Sequence, residues 1–193
     1  MNKFDKHRVI NLARTGYNKV NNKDTFYVMG VDVGRLNCPT EIVIIESSPA
    51  RTTGVNDKKI VNIFTLSESH FEYQAIKIKQ LFNAFKCEAI VLDANGLGVG
   101  LLDYLITDQN DPETDELLPN MGIINLDDIP NEQDRKNYKS FENENTIKNA
   151  IWMMKANHVI NSELYSYTQT QLRNGKLKFL IDSNTAKNKL LQQ

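Results

Sequence analysis

The chain has 193 residues and a mass of 22.1 kDa, a size typical of one ordinary domain. Hydrophobic residues make up 40% and charged residues 24%, values that exclude a disordered tail and a fibre. No apolar run is long enough to cross a membrane, and no secretory signal opens the chain. We therefore expect a soluble protein of a reducing cytoplasm, in which Cys38 and Cys87 are free thiols.

Charge is unevenly distributed along the chain. Residues 88–130 contain ten Asp and Glu residues and no Lys or Arg, whereas residues 1–87 carry a net charge of +5 and residues 131–193 of +4. An acidic centre between basic segments is typical of a site that holds cations beside a polyanion. A solvated acidic loop at residues 108–116 explains part of this pattern.

The first half of the chain reads as strands after a polar lead-in at residues 1–24. Residues 26–33, 41–47 and 58–66 are short apolar segments with many β-branched residues, and their short connections predict an antiparallel meander. Apolar residues then recur at helical spacing from residue 70 to residue 86.

In the second half of the chain, segments typical of strands alternate with segments of helical spacing. In chain order we predict a strand at 88–93, a helix at about 99–107, a loop at 108–120, a strand at 121–126, helices at 144–157 and 162–173, and a final strand at 176–181. The order predicts a mixed five-stranded sheet, three antiparallel strands followed by parallel ones, with helices on both faces. This order matches the ribonuclease-H-like fold, which would occupy residues 25–193.

Two aspartates stand at or near the predicted strand ends. Asp32 lies inside an apolar strand, where a buried carboxylate needs a metal, a cation or several donors as partner. Asp93 ends the strand that follows the first helix. The first and fourth strands are neighbours in this fold, so the two carboxylates converge, and a hard divalent cation relieves their repulsion. Paired Mg²⁺ or Mn²⁺ ions at such carboxylates favour phosphodiester hydrolysis. In the alternative interpretation, Asp32 caps a turn and Asp93 caps the following helix.

Two segments carry a resemblance to a known family. Val-Met-Gly-Val-Asp-Val-Gly-Arg at 28–35 and Val-Leu-Asp-Ala-Asn-Gly-Leu-Gly-Val-Gly-Leu-Leu-Asp-Tyr-Leu at 91–105 resemble the nuclease domain of tailed-bacteriophage terminase large subunits. The resemblance extends over residues 26–182. It implies an endonuclease that cuts concatemeric double-stranded viral DNA during packaging, with Asp32 and Asp93 in a two-metal site for Mg²⁺ or Mn²⁺.

The resemblance also implies partners and a location. These are a packaging ATPase domain or subunit, the portal protein and the small terminase subunit, in the cytoplasm of an infected bacterium. The chain lacks the phosphate-binding loop of the packaging ATPase. It also lacks the family's motif for a third acid. Asp182 is the one late candidate for a metal ligand, and we expect the third acid beyond Gln193.

Smaller features have two interpretations each. Arg35 could contact a DNA phosphate or form a surface ion pair. Asp103 could orient a metal ligand from behind or be a surface carboxylate. Gly96, Gly98 and Gly100 predict a tight turn that lets the backbone approach the metal site or a DNA phosphate. Trp152, in a predicted amphipathic helix, is expected to pack in the core.

Two other functions remain open at this point. Gly30-Val31-Asp32-Val33-Gly34 fits half of the first phosphate motif of sugar-kinase or actin-like ATP-binding domains, although Arg35 and Leu36 stand where a small hydroxyl residue is usual. Without a third acid, the chain could also be a non-catalytic module that docks DNA or the portal.

Overall fold

A computed structural model of the chain describes residues 24–34, 38–50, 54, 56–67 and 70–179. The predicted lead-in at 1–24 therefore lies outside the described residues except for Asp24. The elements in chain order are β1 (Phe26–Asp32), β2 (Thr40–Ser48), β3 (Asp57–Leu66), α1 (Phe71–Phe85), β4 (Ala89–Asp93), α2 (Leu97–Leu105), β5 (Gln109–Asn110), β6 (Leu117–Leu118), β7 (Met121–Ile123), a 3-10 turn (Leu126–Asp128), α3 (Glu132–Ser140), β8 (Ile147–Met154), α4 (His158–Arg173) and β9 (Leu177–Phe179). No helix within the described ranges is long and apolar enough to span a membrane.

The main sheet has the order β7-β8-β4-β1-β2-β3-β9. β1, β2 and β3 form the predicted antiparallel meander, and β4 pairs with β1 in parallel. β8, β7 and β9 are also parallel to their neighbours. The predicted mixed α/β architecture is therefore confirmed. The sheet nevertheless has seven strands in the described part of the chain, not five, and a separate small hairpin of β5 and β6 lies in the predicted loop.

The prediction of a helix at 144–157 is wrong. This segment contains β8, which lies between β4 and β7 and forms parallel ladders with both. Pairing on two sides satisfies the backbone of β8 and outweighs a local preference for helix. Asn149, whose φ is 53°, lies where the β7–β8 register shifts. This left-handed residue forms a bulge that interrupts the alternation of buried and exposed residues along β8.

The helix missing from the sequence prediction is α3. The sequence of α3, Glu-Gln-Asp-Arg-Lys-Asn-Tyr-Lys-Ser, has no apolar residues at helical spacing, and none of its nine residues is buried. Helices were predicted from such spacing, so this one was missed. α3 begins because the Asn131 side chain accepts hydrogen bonds from the backbone N–H groups of Gln133 and Asp134.

The core lies between the sheet and the two helices α1 and α2. Alternate residues of the central strands face these helices and are buried: Tyr27, Met29, Val31, Ile42, Ile44, Ile90 and Leu92. The ring of Phe85 from α1 packs edge-on against Phe64 of β3, with 6.1 Å between ring centroids. We call this side of the sheet the covered face.

The opposite side, the open face, is covered only at one edge by a described helix. There Leu172 of α4 packs with Phe179, Ile60 and Ile63, next to β9. Helices therefore lie on both faces, as predicted. Most of the remaining α4 side chains are exposed. The centre of the open face consists of alternate residues of β1, β4 and β8.

A buried lysine fixes the chain between α2 and β7 against α1. Lys79 is only 1% exposed, and its Nζ donates hydrogen bonds to the carbonyls of Thr107 (2.6 Å) and Leu118 (3.4 Å). Burial lowers the pKa of the Lys79 ammonium from 10.5 to about 8, although the charge of Asp108 acts in the opposite direction.

This lysine gives stability a specific pH dependence. Between pH 8 and pH 10.5 the unfolded chain binds more protons at Lys79 than the folded chain does, so its contribution to the free energy of unfolding rises with pH. In urea titrations across this window, we expect the free energy of unfolding of the wild type to rise relative to that of Lys79→Met. Burial raises the pKa of the Cys87 thiol from 9.0 to about 12, so its contribution to the free energy of unfolding falls as the pH rises. This contribution is the same in both proteins and cancels in the difference between them. Lys136→Met, at an exposed site, serves as control and should give a constant difference. A constant difference for Lys79→Met would contradict the prediction.

Candidate metal centre

The sheet register brings the two predicted aspartates side by side. β1 ends at Asp32 and β4 ends at Asp93, and the parallel register pairs Val31 with Leu92. Continued by one residue, this register sets Asp32 beside Asp93 at the carboxyl ends of neighbouring strands, where backbones are about 4.8 Å apart. Because side chains alternate between faces, both carboxylates lie on the open face.

The backbone after Asp93 turns sharply. The Asp93 carboxylate accepts a hydrogen bond from the backbone N–H of Asn95 at 3.0 Å through Oδ1. The Asn95 side chain donates to the carbonyl of Ala156, and the Ala94 N–H donates to the carbonyl of Met154. These bonds tie the turn to the end of β8. Helix α2 begins later, after Gly96, and that position has no side-chain cap. The alternative in which Asp93 caps the helix therefore does not describe this turn.

Glycines let this turn approach Asp93 closely. A Cβ at Gly98 would lie 1.8 Å from the Asp93 carbonyl oxygen, a distance that no side chain can occupy. Gly96 has a φ of +54°, in the left-handed region that glycine adopts without strain. Position 98 therefore requires glycine for contact with the end of β4. Gly100 instead approaches the ring of Phe71 on α1.

Asp32 is exposed, and this differs from the expectation of a buried carboxylate. It is the last residue of β1, and its side chain lies on the open face, away from the core. The energetic cost of burying a carboxylate therefore does not apply to Asp32. What remains is its position beside Asp93.

The turn after Asp32 is fixed by a buried network. The Thr40 hydroxyl accepts from the N–H of Gly34 at 2.9 Å and donates to the Gln74 side-chain oxygen at 2.7 Å. The Gln74 amide in turn donates to the Gly34 carbonyl at 3.4 Å. The network connects the segment after β1 to β2 and α1.

Thr40→Val tests this network with almost no change in volume. The substitution leaves the buried Gly34 N–H without its acceptor, so we expect the free energy of unfolding to fall by about 1–3 kcal/mol. Chemical denaturation measures this loss. Thr65→Val, at an exposed hydroxyl on β3, is the matched control and should change stability by less than about 0.5 kcal/mol. Equal effects of the two variants would contradict the role of the network.

A further carboxylate, Glu41, was not predicted from the sequence. The antiparallel register pairs Glu41 of β2 directly with Asp32, so acidic residues occupy three neighbouring strands at this end of the open face. The Thr65 hydroxyl contacts both oxygens of Glu41, at 2.9 and 3.0 Å, and draws the carboxylate toward β3. Only the register of β1 and β2 reveals this position, because Glu41 stands next to a turn in the sequence with no motif of its own.

The other predicted site residues lie elsewhere. Arg35 and Asp182 are outside the described residues. Asp103 is on α2, where burial raises the pKa of its carboxyl group, and its charge in turn contributes to a raised pKa of Tyr138 on α3. Among the hydrogen bonds of the described residues, none joins the Asp103 carboxylate to Asp93. A role for Asp103 behind a metal ligand stays a prediction.

The donor set suits one hard cation. Carboxylate oxygens are preferred ligands of Mg²⁺ and Mn²⁺, and Mg²⁺ is often bound by one or two carboxylates while it keeps several waters. Asp32 and Asp93 match that description. Across the described ranges, no three His, Cys, Asp or Glu side chains come close enough to hold a metal together. A second ion would need donors beyond these two residues.

Comparison with known proteins gives a match among solved structures. No protein-family model matches the chain, and no curated protein matches it. Among solved structures, it is similar to the large terminase nuclease from the thermophilic phage G20c with bound magnesium. The TM-score is 0.51, and the match covers 92% of this chain and 72% of that chain at 12% sequence identity. The chain has a ribonuclease-H-like fold. At 12% identity the ribonuclease-H-like fold is what the two proteins share.

Proposed function

We propose that the chain is the nuclease domain of a phage terminase large subunit, a metal-dependent endonuclease that cuts double-stranded DNA. The observation that carries the proposal is the register that sets Asp32 beside Asp93 at the carboxyl ends of β1 and β4. The similarity in fold to a terminase nuclease and the resemblance of residues 91–105 to that family support it.

Asp32 and Asp93 would hold Mg²⁺ or Mn²⁺ in this function. When bound, such an ion supplies a Lewis acid for a phosphodiester oxygen and lowers the pKa of a bound water. The chain's own contribution is to orient the two carboxylates. The Asn95 N–H fixes one oxygen of Asp93, and the turn at Gly98 fixes the backbone beside it. Glu41 adds negative charge to the same end of the sheet, which attracts cations.

The proposal also includes the bounds of the domain, a further metal ligand and the partners. Residues 25–193 would be the nuclease domain, with Asp182 as a candidate for a further metal ligand. The partners would be a packaging ATPase domain or subunit, the portal protein and the small terminase subunit, in the cytoplasm of an infected bacterium. DNA would be bound mainly through its phosphates, with Arg35 as one contact.

Cleavage of supercoiled plasmid tests the proposal. The wild-type protein is expected to nick and linearise the plasmid with Mn²⁺ or Mg²⁺ and to leave it intact with EDTA. Binding of Mn²⁺ is measured in parallel by calorimetry on the same preparation. Metal binding without cleavage would favour the non-catalytic docking module. The absence of both would contradict the nuclease assignment, and saturable ATP binding in its place would favour the sugar-kinase or actin-like alternative.

A further inference from the structure

A row of uncharged residues lies directly behind the two aspartates on the open face. The strand registers pair Val43 with Gly30, Gly30 with Val91, and Val91 with Trp152 across four neighbouring strands. We call these four residues the apolar row. Gly30 and Val91 stand two positions before Asp32 and Asp93 on their strands. Two residues along a strand correspond to about 6.6 Å, so the row and the carboxylates form adjacent parts of one surface.

Trp152 is the dominant feature of the apolar row. Its side chain is 46% exposed, whereas its neighbours Ile151 and Met153 on β8 are buried on the covered face. Val91 beside it is 36% exposed. A Cβ built on Gly30 meets no atom within 4 Å, so the row has open space at its centre. The indole therefore presents a large apolar surface, and Val91 lies between it and the open space at Gly30.

The surroundings of Trp152 favour a nucleic-acid occupant. The exposed Lys155 follows Trp152 by three residues, immediately after the end of β8. An accessible aromatic ring with nearby cations is the combination that binds single-stranded DNA, through base stacking and phosphate contacts. Trp152 lies one strand away from Asp93 and two residues before its level, a separation of roughly 8 Å. The sugar of a nucleotide separates its base from its phosphate by a comparable distance.

We infer that Trp152 stacks on an unpaired nucleobase adjacent to the phosphate that is cut at Asp32 and Asp93. The inference rests on the proposed function and deepens it. The DNA strand would be locally unpaired at the cleavage site, because a base inside a duplex is already stacked and paired and cannot reach the indole.

Fluorescence gives a direct test, since Trp152 is the chain's single tryptophan. The intact wild-type protein is titrated with oligothymidylate, with an abasic polymer of the same length and with a blunt duplex. The emission of Trp152 is expected to be quenched saturably by oligothymidylate and several-fold more weakly by the other two. Equal quenching by the abasic polymer, or no quenching, would overturn the inference. A change with protein concentration alone would assign the row to a contact between two copies, and it would overturn the inference as well.

Variants separate stacking from the metal site. By fluorescence anisotropy with labelled oligothymidylate, Trp152→Ala should weaken binding by about tenfold, the effect of one lost stacking contact. Trp152→Phe, which keeps an aromatic ring, should retain most of the affinity. Tyr73→Ala is the matched control, because Tyr73 is 42% exposed on α1, away from the open face. Unchanged binding by Trp152→Ala would overturn the inference.

The Mn²⁺ affinity of Trp152→Ala should equal that of the wild type. Cleavage that depends on Asp93 but not on Trp152 would refute the stacking contact and leave the nuclease function standing. A wild-type protein that neither binds Mn²⁺ nor cuts would refute the nuclease function itself, whatever the fluorescence shows.

Discussion

Asp93→Asn and Asp32→Asn are each expected to lower the rate of plasmid cleavage by more than about a hundredfold. In the proposed site, each variant would remove a negative oxygen ligand from a cation whose stabilisation of developing charge is worth several kcal/mol, and each 1.36 kcal/mol corresponds to about tenfold in rate. The expected loss of Mn²⁺ affinity is measured by calorimetry. Both side chains stand at strand ends, so the unfolding transition should stay close to that of the wild type.

Glu41→Gln is the sharpest control for this prediction. It removes the same charge from the neighbouring strand, but the Glu41 carboxylate is drawn toward Thr65. We expect a decrease in rate of only a few-fold, from the weaker electrostatic attraction of the cation. An equal loss in all three variants would show that the site depends on total charge and not on ligation by Asp32 and Asp93. Full activity of Asp93→Asn would contradict the proposed site.

Gly98→Ala is expected to destabilise the protein although alanine favours helix. Alanine gains about 1 kcal/mol over glycine in a helix. The added Cβ would, however, lie 1.8 Å from the Asp93 carbonyl oxygen, and the backbone cannot give way as the end of a side chain can. Overpacking of this kind costs about 1–3 kcal/mol or more, so the steric effect outweighs the gain in helix propensity. The net loss, about 1–2 kcal/mol, is measured by urea denaturation.

The displaced atom belongs to Asp93 itself, and this adds a functional readout. Mn²⁺ affinity should fall in Gly98→Ala even under conditions where the protein is fully folded. Gly30→Ala is the matched control, because its Cβ meets no atom within 4 Å, and its stability should stay within about 0.5 kcal/mol of the wild type. If Gly98→Ala were as stable as Gly30→Ala, the close approach of α2 to β4 would be disproved.

The position of the two aspartates was predictable because strand ends are visible in the sequence. Asp32 and Asp93 each follow a short apolar run, and the order of elements made β1 and β4 neighbours. The solvent exposure of Asp32 was not predictable, because an apolar run does not show at which residue pairing stops. Glu41 was missed for a related reason. Its place beside Asp32 follows from the register of β1 and β2, which the sequence does not show.

The error at β8 shows how an alternating pattern can be hidden. Trp152, Met153 and Met154 are all apolar, so the sequence gives no sign that the buried residue is flanked by less buried ones. The bulge at Asn149 breaks the alternation further. Helical spacing then becomes the simpler interpretation, and it places Trp152 in the core. Only the ladders with β4 and β7 turn the indole to the open face.

The edge strand β9 has a consequence for how the chain folds. Its three residues pair with β3, and the Lys176–Asp57 ion pair beside them joins positions 119 residues apart. Closing so long a loop has a large entropic cost, and the hydrogen bonds of three residue pairs offset only part of it. The meander of β1 to β3 depends on near neighbours and can form early, whereas β9 should dock last. The same edge is then the first part of the sheet to open in native-state fluctuations.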